Sequence, residues 1–405
     1  MIERTLYAIA FSSSWGRQMR FITGPRQTGK TTLAKEKLIE EHTQKLYYLW
    51  DLRSVRSRYK NEELFFTTDI PPHKDKKSWV CFDEIHKMPA WKNILKGVFD
   101  ETQDHYQFII TGSAKLNVLK KAGDSLSGRY FTFHLYPLTL REVIGNPKIN
   151  PKEFSDPISF ILSRLENSSS HQAALDRLIG FSGFPEPYSH HSVAFLNKWS
   201  QDYLDRVITE DIGALTRVTD RERLHDLYRL LPEMSGSPLS VNSLASLLES
   251  NAVTIKNYLK KLEDFYLAFR ITPYTRNIKR SLLKSSKWYV YDWTRFKDPF
   301  KRFENYVAVE LNTMTSLWTD LTGVHYKLFY VRDKEKKETD FLILKEGKPW
   351  LMIEAKYSDM KIDSHHLQTS RVLGNIPIVQ VCYEKGIAFQ ESKNVFRISA
   401  ERFFR

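Results

Sequence analysis

A chain of 405 residues, 41% hydrophobic and 13% aromatic, can bury roughly two to four cores at about 100 to 200 residues per domain. Two cysteines, Cys81 and Cys382, are too few for a disulfide framework or a zinc cluster, and no apolar run approaches the roughly 20 residues that span a bilayer. With no signal-peptide pattern at the N-terminus, we expect a cytoplasmic protein without a membrane partner. The formal net charge of +13 indicates a nucleic-acid partner, DNA above all.

The first motif is a phosphate-binding loop, G-x-x-x-x-G-K-[ST]. Its residues are Gly24, Pro25, Arg26, Gln27, Thr28, Gly29, Lys30, Thr31 and Thr32. The apolar run Met19–Thr23 before it and the apolar-periodic segment Thr31–Glu41 after it predict a strand and a helix, the required order. Lys30 is expected to contact the phosphates of ATP, and the Thr31 hydroxyl to bind Mg²⁺. The alternative is a glycine turn that binds nothing.

A second apolar run, Ser78–Glu84, ends in two carboxylates. A strand that brings acids to a nucleotide site has this pattern, and the run resembles a Walker B motif. Asp83 is predicted to hold Mg²⁺ and Glu84 to polarise the water that attacks the γ-phosphate. A strand that ends in a solvated acidic turn is the alternative.

Two further candidates follow along the chain. The run Gln107–Ser113 resembles the sensor-one strand of AAA+ ATPases, with Ser113 as the first choice for the residue that orients water and Thr111 as the second. Ordinary capping hydroxyls explain either one. Arg129 is a candidate arginine finger or sensor arginine, because a fixed guanidinium can neutralise charge on the γ-phosphate. A surface salt bridge explains Arg129 equally well.

Together with the run Leu135–Glu142, these motifs resemble the prokaryotic AAA+ ATPases whose ATPase module precedes a C-terminal domain of unknown function. The segment Tyr203–Ile212 resembles a helix of that second region. The resemblance implies an α/β core with a parallel sheet, and ATP hydrolysis with Mg²⁺. It also implies a site between the core and a lid or a neighbouring subunit of a homo-oligomer.

Chain breaks at Gly145–Pro147, Pro232 and Gly236–Pro238 predict four domains. These are an AAA+ core over residues 1–145, a helical lid or adaptor over 146–232, a winged helix-turn-helix over 233–280 and a nuclease-like α/β domain over 281–405.

The winged helix is predicted from two short helices, of which the second covers Val253–Phe265. Its apolar face would include Val253. Its outer face would offer DNA the side chains of Thr254, Lys256, Asn257, Lys260 and Lys261. Protein contacts are the alternative use of such a domain.

A basic stretch follows, in which aromatic residues alternate with cations. The cations are Arg276, Lys279, Arg280, Lys284, Lys287, Arg295, Lys297, Lys301 and Arg302. The aromatic residues are Trp288, Tyr289, Tyr291 and Trp293. Bases could stack on the rings and phosphates could pair with the cations. A basic face beside a core strand is the alternative.

The last third predicts a hairpin that carries acids. Asp340 starts one strand, and the next strand bears Glu354 and Lys356 on one face because side chains alternate. Asp340 and Glu354 are predicted to bind Mg²⁺, and Lys356 to hold or activate water. The pattern resembles the PD-(D/E)xK nuclease core, a restriction-endonuclease-like α/β fold, with Thr339 in place of the proline.

The run Arg302–Leu311 resembles the first helix of that core, and its Glu304 would be a further metal ligand. The sequence thus predicts an ATP-hydrolysing protein that acts on nucleic acid and carries a metal-dependent nuclease domain. The alternative is a nucleotide-gated DNA- or protein-binding switch with an inactive nuclease-like domain.

Overall fold

The computed structural model describes residues 2–73, 76–112, 126–166, 170–213, 220–275 and 285–405. Contacts divide them into two units. The smaller unit is Leu6–Tyr136, and the larger unit is Pro137–Arg405 together with the segment that ends at Thr5. The expected division into four domains stays a prediction.

Continuous apolar runs form the sheet of the smaller unit. Its strands are β1 (Met19–Thr23), β2 (Tyr47–Leu49), β3 (Ser78–Asp83), β4 (Tyr106–Thr111) and β5 (Tyr130–His134). Within the described residues they form a parallel five-stranded sheet in the order β2-β3-β4-β1-β5. All of β1 is buried, as expected for a parallel strand covered on both faces. The predicted α/β class with a parallel sheet is confirmed.

The helices up to residue 136 include α1 (Thr5–Ala10), α2 (Lys30–Glu40), α3 (Arg53–Asn61) and α4 (Trp91–Thr102). Aromatic rings fill the core of this unit. Phe66 lies 5.8 Å from Phe82 and 5.1 Å from Tyr106 between ring centroids, both in edge-to-face arrangements that aromatic pairs favour. The carboxyl ends of β1, β3 and β4 are thereby held at one edge of the sheet.

The larger unit begins with helices, as predicted. They include α5 (Leu140–Val143), α6 (Pro157–Leu165), α7 (Gln172–Phe181), α8 (Pro185–His190), α9 (Val193–Arg206), a π-helical segment (Val207–Ile212) and α10 (Arg221–Met234). Short 3₁₀ turns occur at Ser13–Trp15, Gln44–Leu46, Phe65–Thr68, Ile85–Lys87, Pro151–Phe154 and Trp293–Arg295.

Two short helices and a pair of strands follow. They are α11 (Val241–Leu247), α12 (Ala252–Asp264), β6 (Ala268–Ile271) and β7 (Lys287–Val290), with β6 and β7 antiparallel. Val253, expected on the apolar face of α12, is instead 69% exposed. Val253 lies two residues before the buried Ile255, which turns it about 200° around the helix and away from the core.

A mixed sheet completes the larger unit. Its strands are β8 (Tyr326–Arg332), β9 (Glu338–Lys345), β10 (Lys348–Lys356), β11 (Ile378–Cys382), β12 (Ala388–Ser392) and β13 (Val395–Ser399). Over the described part of the chain they form six strands in the order β12-β13-β11-β10-β9-β8. The helices are α13 (Pro299–Thr322), which packs against β7, β8 and β10, α14 (Ser364–Val372) and α15 (Ala400–Phe403). A C-terminal sheet domain is therefore present.

No helix among the described residues is both long and apolar enough to cross a membrane.

Candidate functional site

The phosphate-binding loop takes a shape that its glycines permit. Gly24 has a φ of 140°, and a Cβ atom there would lie 2.1 Å from the carbonyl oxygen of Leu135. Gly29 has a φ of 95° and caps the N-terminus of α2. Neither position accepts an ordinary side chain without a shift of the backbone. The loop therefore places the N-terminus of α2 directly behind the site expected for phosphate.

Lys30 points into this loop. Its Nζ donates to the carbonyl oxygens of Gly24 at 3.1 Å and Pro25 at 2.5 Å, and its side chain is buried. The Thr28 hydroxyl donates to the same Pro25 oxygen at 3.0 Å. The ammonium therefore lies inside the loop, where a polyphosphate would be bound.

Asp83 joins three neighbouring segments at the carboxyl edge of the sheet. Its Oδ2 accepts from the Thr31 hydroxyl at 2.8 Å and from the Tyr47 hydroxyl at 2.6 Å, and its Oδ1 accepts from Thr111. Thr31 and Asp83, which the sequence predicts for Mg²⁺, thus lie in contact. A hydroxyl and a carboxylate are oxygen ligands of the kind Mg²⁺ requires, so this donor set fits the ion.

Tyr47 has no motif around it, and the sequence analysis missed it. Burial and the hydrogen bond to Asp83 raise the pKa of Tyr47 above its ordinary value, so the hydroxyl keeps its proton and donates it. Thr111 is the second choice for the sensor residue, and its hydroxyl donates a hydrogen bond to Asp83 Oδ1. Ser113, the first choice, lies outside the described residues.

Glu84 is separated from Asp83 by a change of backbone direction. Its φ is 59°, in the left-handed region, and its N–H donates to the Thr111 carbonyl oxygen at 3.1 Å. Its carboxylate is 25% exposed, with His86 Nε2 at 3.3 Å. A left-handed residue other than glycine costs about 1–2 kcal/mol, and such strain is concentrated at functional sites. Asp83 and Glu84 therefore occupy different environments, as their predicted roles require.

A second site forms in the larger unit, where the structure brings together the four residues predicted for the nuclease-like domain. The N–H of Asp340 donates to Glu354 Oε2 at 3.2 Å, and Lys356 Nζ lies 2.9 Å from Glu354 Oε1. Glu304 reaches the same cluster from α13. It adjoins Asp340 through a fifth residue, Lys287.

Lys287 lies at the centre of this cluster and was missed as a site residue. Its Nζ is 3.3 Å from Asp340 Oδ1, 3.2 Å from Glu338 Oε2 and 4.0 Å from Glu304 Oε1. The side chain is only 1% exposed. Burial alone would lower the pKa of Lys287, but Asp340, Glu304 and Glu338 raise it above the usual value. The ammonium is therefore a permanent cation among the three carboxylates.

Two carboxyl groups of this cluster, those of Glu304 and Glu354, have raised pKa values. Burial, followed by the charge of Asp340, raises the pKa of Glu304 to about 7 and that of Glu354 to about 8. The Tyr289 hydroxyl donates to Glu304 Oε1 at 2.9 Å. These values describe a cluster with more acidic groups than its two lysines can neutralise.

A buried histidine, His366, borders the cluster and was also missed. Its Nδ1 is 2.8 Å from the Thr339 hydroxyl, and its Nε2 is 3.7 Å from Glu354 Oε1. Burial and the neighbouring His365 lower the pKa of His366 to about 4. His366 is therefore neutral near pH 7 and adds no charge beside Glu354.

The residues of this second site fit a metal ion poorly, because the buried Lys287 ammonium already lies among the carboxylate oxygens. Asp340 Oδ1 faces Lys287, and its Oδ2 accepts from the N–H of Ala355 at 3.2 Å. Glu354 Oε1 faces Lys356, and its Oε2 accepts from the N–H of Asp340. The ammonium by itself would repel a unit positive charge 4 Å away by about 4 kcal/mol at an effective dielectric constant of 20, which offsets part of the attraction of the carboxylates. A divalent ion would be repelled by about twice that amount.

Most of the smaller unit is similar to a known protein family. The family model described as "AAA domain" matches residues 16–144. Residues 16–144, hereafter the AAA domain, are similar to that family. Two family models described as domains of unknown function match residues 172–294 (DUF8612) and 301–400 (DUF4143).

Relatives with curated sequences share low identity with the chain. An uncharacterized protein of Mycobacterium tuberculosis is 22% identical over 389 residues, which cover 94% of this chain and 80% of that protein. An uncharacterized protein of Haemophilus influenzae is 21% identical over 328 residues, 72% of this chain and 74% of that protein. Among solved structures, the DNA polymerase III gamma subunit-related protein of Thermotoga maritima is 11% identical, with a TM-score of 0.26. The alignment covers 64% of this chain and 96% of that one.

Arg129 lies where the parallel strands of the AAA domain begin, at the edge of the sheet opposite the phosphate-binding loop. It precedes β5, and β5 is parallel to β1 with Tyr130 opposite Met19, whereas the phosphate-binding loop follows the far end of β1. A strand of five residues is about 16 Å long. Arg129 Nε and Nη2 instead contact the Asp100 carboxylate at 2.7 and 2.8 Å. A finger role for Arg129 stays a prediction that concerns a neighbouring subunit.

The expectation that bases stack along the basic stretch is wrong for its aromatic residues. Trp288, Tyr289, Tyr291 and Trp293 are all buried. All four residues of β7 are buried, so this strand has no solvent face on which rings could alternate with cations. Arg276, Lys279, Arg280 and Lys284 lie outside the described residues. Of the predicted DNA-binding side chains on α12, Lys256, Asn257 and Lys260 are exposed.

Proposed function

We propose that the AAA domain binds ATP and hydrolyses it. The hydrogen bond from Thr31 to Asp83 carries this proposal, because it joins the phosphate-binding loop to the acidic end of β3. Thr31 and Asp83 would hold Mg²⁺, which when bound withdraws charge from the phosphate oxygens. Lys30 supplies a fixed positive charge to those oxygens, and Glu84 accepts a proton from the attacking water.

Lys30→Ala is expected to weaken ATP binding about 10- to 100-fold, because a charge-assisted hydrogen bond contributes roughly 1.5–3 kcal/mol. Titration calorimetry with ATP and Mg²⁺ measures the change. Lys96→Ala, which removes an exposed lysine of the same domain, is the matched control and should bind like the wild type. Equal affinity in the Lys30→Ala protein would remove the support for this ATP site.

We further infer that the larger unit binds nucleic acid under control of the nucleotide and does not cut it. Lys256, Asn257 and Lys260 support the binding, because they are exposed on the second of two consecutive helices, the position of a recognition helix. The formal net charge of +13 adds a general attraction to phosphate.

The occupied oxygens of Asp340 and Glu354 favour binding without cutting. Lys287 already supplies Asp340 with the positive charge that a metal ion would bring. Metal-dependent cleavage is the second candidate, and the convergence of Asp340, Glu354 and Lys356 favours it.

Replacing both Lys256 and Lys260 by alanine should weaken binding to a fluorescent DNA and lower the steepness of its salt dependence. Each lost phosphate contact lowers the slope of log K against log salt by about 1. Anisotropy titrations at several salt concentrations give this slope. The control replaces Lys334 and Lys393, two exposed lysines elsewhere on the larger unit, by alanine. Equal slopes in the two double variants would rule out α12 as the contact.

The same labelled DNA and its RNA counterpart test for cutting. With Mg²⁺ or Mn²⁺, and with ATP, ADP or no nucleotide, we expect the wild type to leave both strands intact. Cleavage by the wild type that disappears in Asp340→Asn would establish the second candidate instead.

A further inference from the structure

Two consecutive tyrosines on β2 each donate a hydrogen bond to a carboxylate. The Tyr47 hydroxyl donates to Asp83 Oδ2 at 2.6 Å. The Tyr48 hydroxyl donates to Asp69 Oδ2, also at 2.6 Å. Side chains alternate along a strand, so the two rings lie on opposite faces of the sheet. Tyr47 therefore contacts the acid predicted for Mg²⁺, whereas Tyr48 forms the same kind of bond with an acid that has no predicted role.

The register of the sheet explains how Tyr47 reaches Asp83. Leu49 lies opposite Asp83 on β3, and Tyr47 lies two residues before Leu49 on the same face. Two residues of a strand span about 7 Å, so the tyrosine side chain extends along the strand toward the carboxyl end of β3. Lys35 Nζ of α2 lies 4.5 Å from the centroid of the ring, a cation–π contact. The position of Tyr47 is therefore fixed at the ring as well as at the hydroxyl.

Asp83 accepts hydrogen bonds from three hydroxyl groups. Its residue is only 3% exposed. Thr31 and Tyr47 donate to Oδ2, and Thr111 donates to Oδ1. A carboxylate has about four lone-pair positions, so these three bonds leave about one of them open. Together the three donors fix the orientation of the carboxylate.

The fixed carboxylate in turn orients the hydroxyl of Thr31. A hydroxyl has one proton and two lone pairs, and that of Thr31 gives its proton to Asp83. Its lone pairs are then left to bind a cation at the phosphate-binding loop. Without the Tyr47 hydroxyl, Asp83 would lose one of its three described donors and could turn about its Cβ–Cγ bond. The hydroxyl of Thr31 would then lose its fixed direction.

We propose that Tyr47 is a positioning residue for Mg²⁺, because its hydroxyl holds Asp83 and, through Asp83, Thr31 in the arrangement that binds the ion together with the nucleotide. This inference rests on the proposed ATP site. Groups that hydrogen-bond to metal ligands typically contribute about 10- to 100-fold to metal affinity. Tyr47→Phe removes one oxygen atom and keeps the ring, so it isolates the contribution of the hydroxyl.

Titration calorimetry of the full chain with a non-hydrolysable ATP analogue tests this role. The affinity is measured once in EDTA and once in excess Mg²⁺, and the ratio of the two affinities is the gain from Mg²⁺, which does not depend on turnover. In Tyr47→Phe this gain should be about tenfold smaller than in the wild type. The affinity in EDTA should stay that of the wild type, because Tyr47 acts through the metal ligands.

Tyr48→Phe is the matched control, since it removes a tyrosine–carboxylate bond of the same length from the same strand. It should keep the wild-type gain from Mg²⁺, and thermal melting compares the folding of the two variants. An equal gain in Tyr47→Phe and Tyr48→Phe would overturn the inference and leave the ATP site intact. An equal loss of affinity in Tyr47→Phe with and without Mg²⁺ would reduce Tyr47 to a structural role. Absence of binding by the wild type would contradict the ATP site itself and this inference with it.

Discussion

Replacing Glu84 by glutamine is expected to lower the rate of ATP hydrolysis about 100-fold or more while ATP still binds. Glutamine keeps the shape of the side chain but does not accept the proton of the attacking water. Glu84 has a left-handed backbone, with a φ of 59°, and its carboxylate lies beside His86, whereas Asp83 contacts Thr31. Phosphate release at saturating ATP and Mg²⁺ measures the rate, and calorimetry measures binding.

The matched control is Glu101→Gln, which neutralises an exposed carboxylate on α4 of the same domain and should hydrolyse ATP normally. Lys30→Ala, purified in parallel, reports any contaminating ATPase. Wild-type turnover in the Glu84→Gln protein would remove Glu84 from the mechanism.

Replacing Lys287 by methionine is expected to lower the free energy of unfolding by about 3–5 kcal/mol, the typical cost of removing one partner from a buried ion pair. Methionine fills a similar volume, but it leaves Asp340, Glu338 and Glu304 without their shared cation. Urea unfolding at pH 8 measures the loss. Lys348→Met, at an exposed position on β10, should cost far less.

The loss of unfolding free energy caused by Lys287→Met should depend on pH. Glu304 already has a pKa of about 7, against about 4.3 in an unfolded chain, and Lys287 is one of the charges that lower it. Without Lys287 this pKa rises further, so the native state binds more protons than the unfolded state. The free energy of unfolding of Lys287→Met therefore falls as pH rises from the pKa of Glu304 in the unfolded chain to its raised pKa in the native state. The deficit should be small near pH 4 and largest at pH 8.

Added Mn²⁺ tests whether the Lys287 ammonium takes the place of a metal ion among the carboxylates. It should stabilise Lys287→Met, whose carboxylates have lost their cation, more than the wild type. Equal stabilisation of the two proteins would contradict the role assigned to Lys287.

Local patterns were sufficient to predict the phosphate-binding loop and its acidic partner. Gly24, Gly29 and Lys30 act within one loop, and Asp83 follows an apolar run whose direction in a parallel sheet brings it to the same edge. Tyr47 was missed because one tyrosine at the end of a short strand carries no local signal. The position of Arg129 depends on the edge of the sheet at which β5 begins. This edge can be predicted only when the order and direction of the strands are known.

The cluster around Lys287 shows the same limit of sequence-based prediction. Alternation along one hairpin predicts that Glu354 lies beside Lys356, and Glu304 follows from a resemblance to a helix. Lys287 was assigned to a basic surface because charged residues in such runs are usually solvated. It is buried because β7 is covered on both faces, a tertiary property that its four residues do not encode.

The most direct test of nucleotide-gated binding is the affinity of the Glu84→Gln protein for a labelled DNA, measured with saturating ATP, with ADP and without nucleotide. The substituted protein holds ATP without turnover, so each state can be measured at equilibrium. We predict that ATP changes the affinity at least about fivefold relative to ADP, a coupling of roughly 1 kcal/mol, and that the DNA stays intact. Equal affinity in all three states, or a cut strand, would contradict the account.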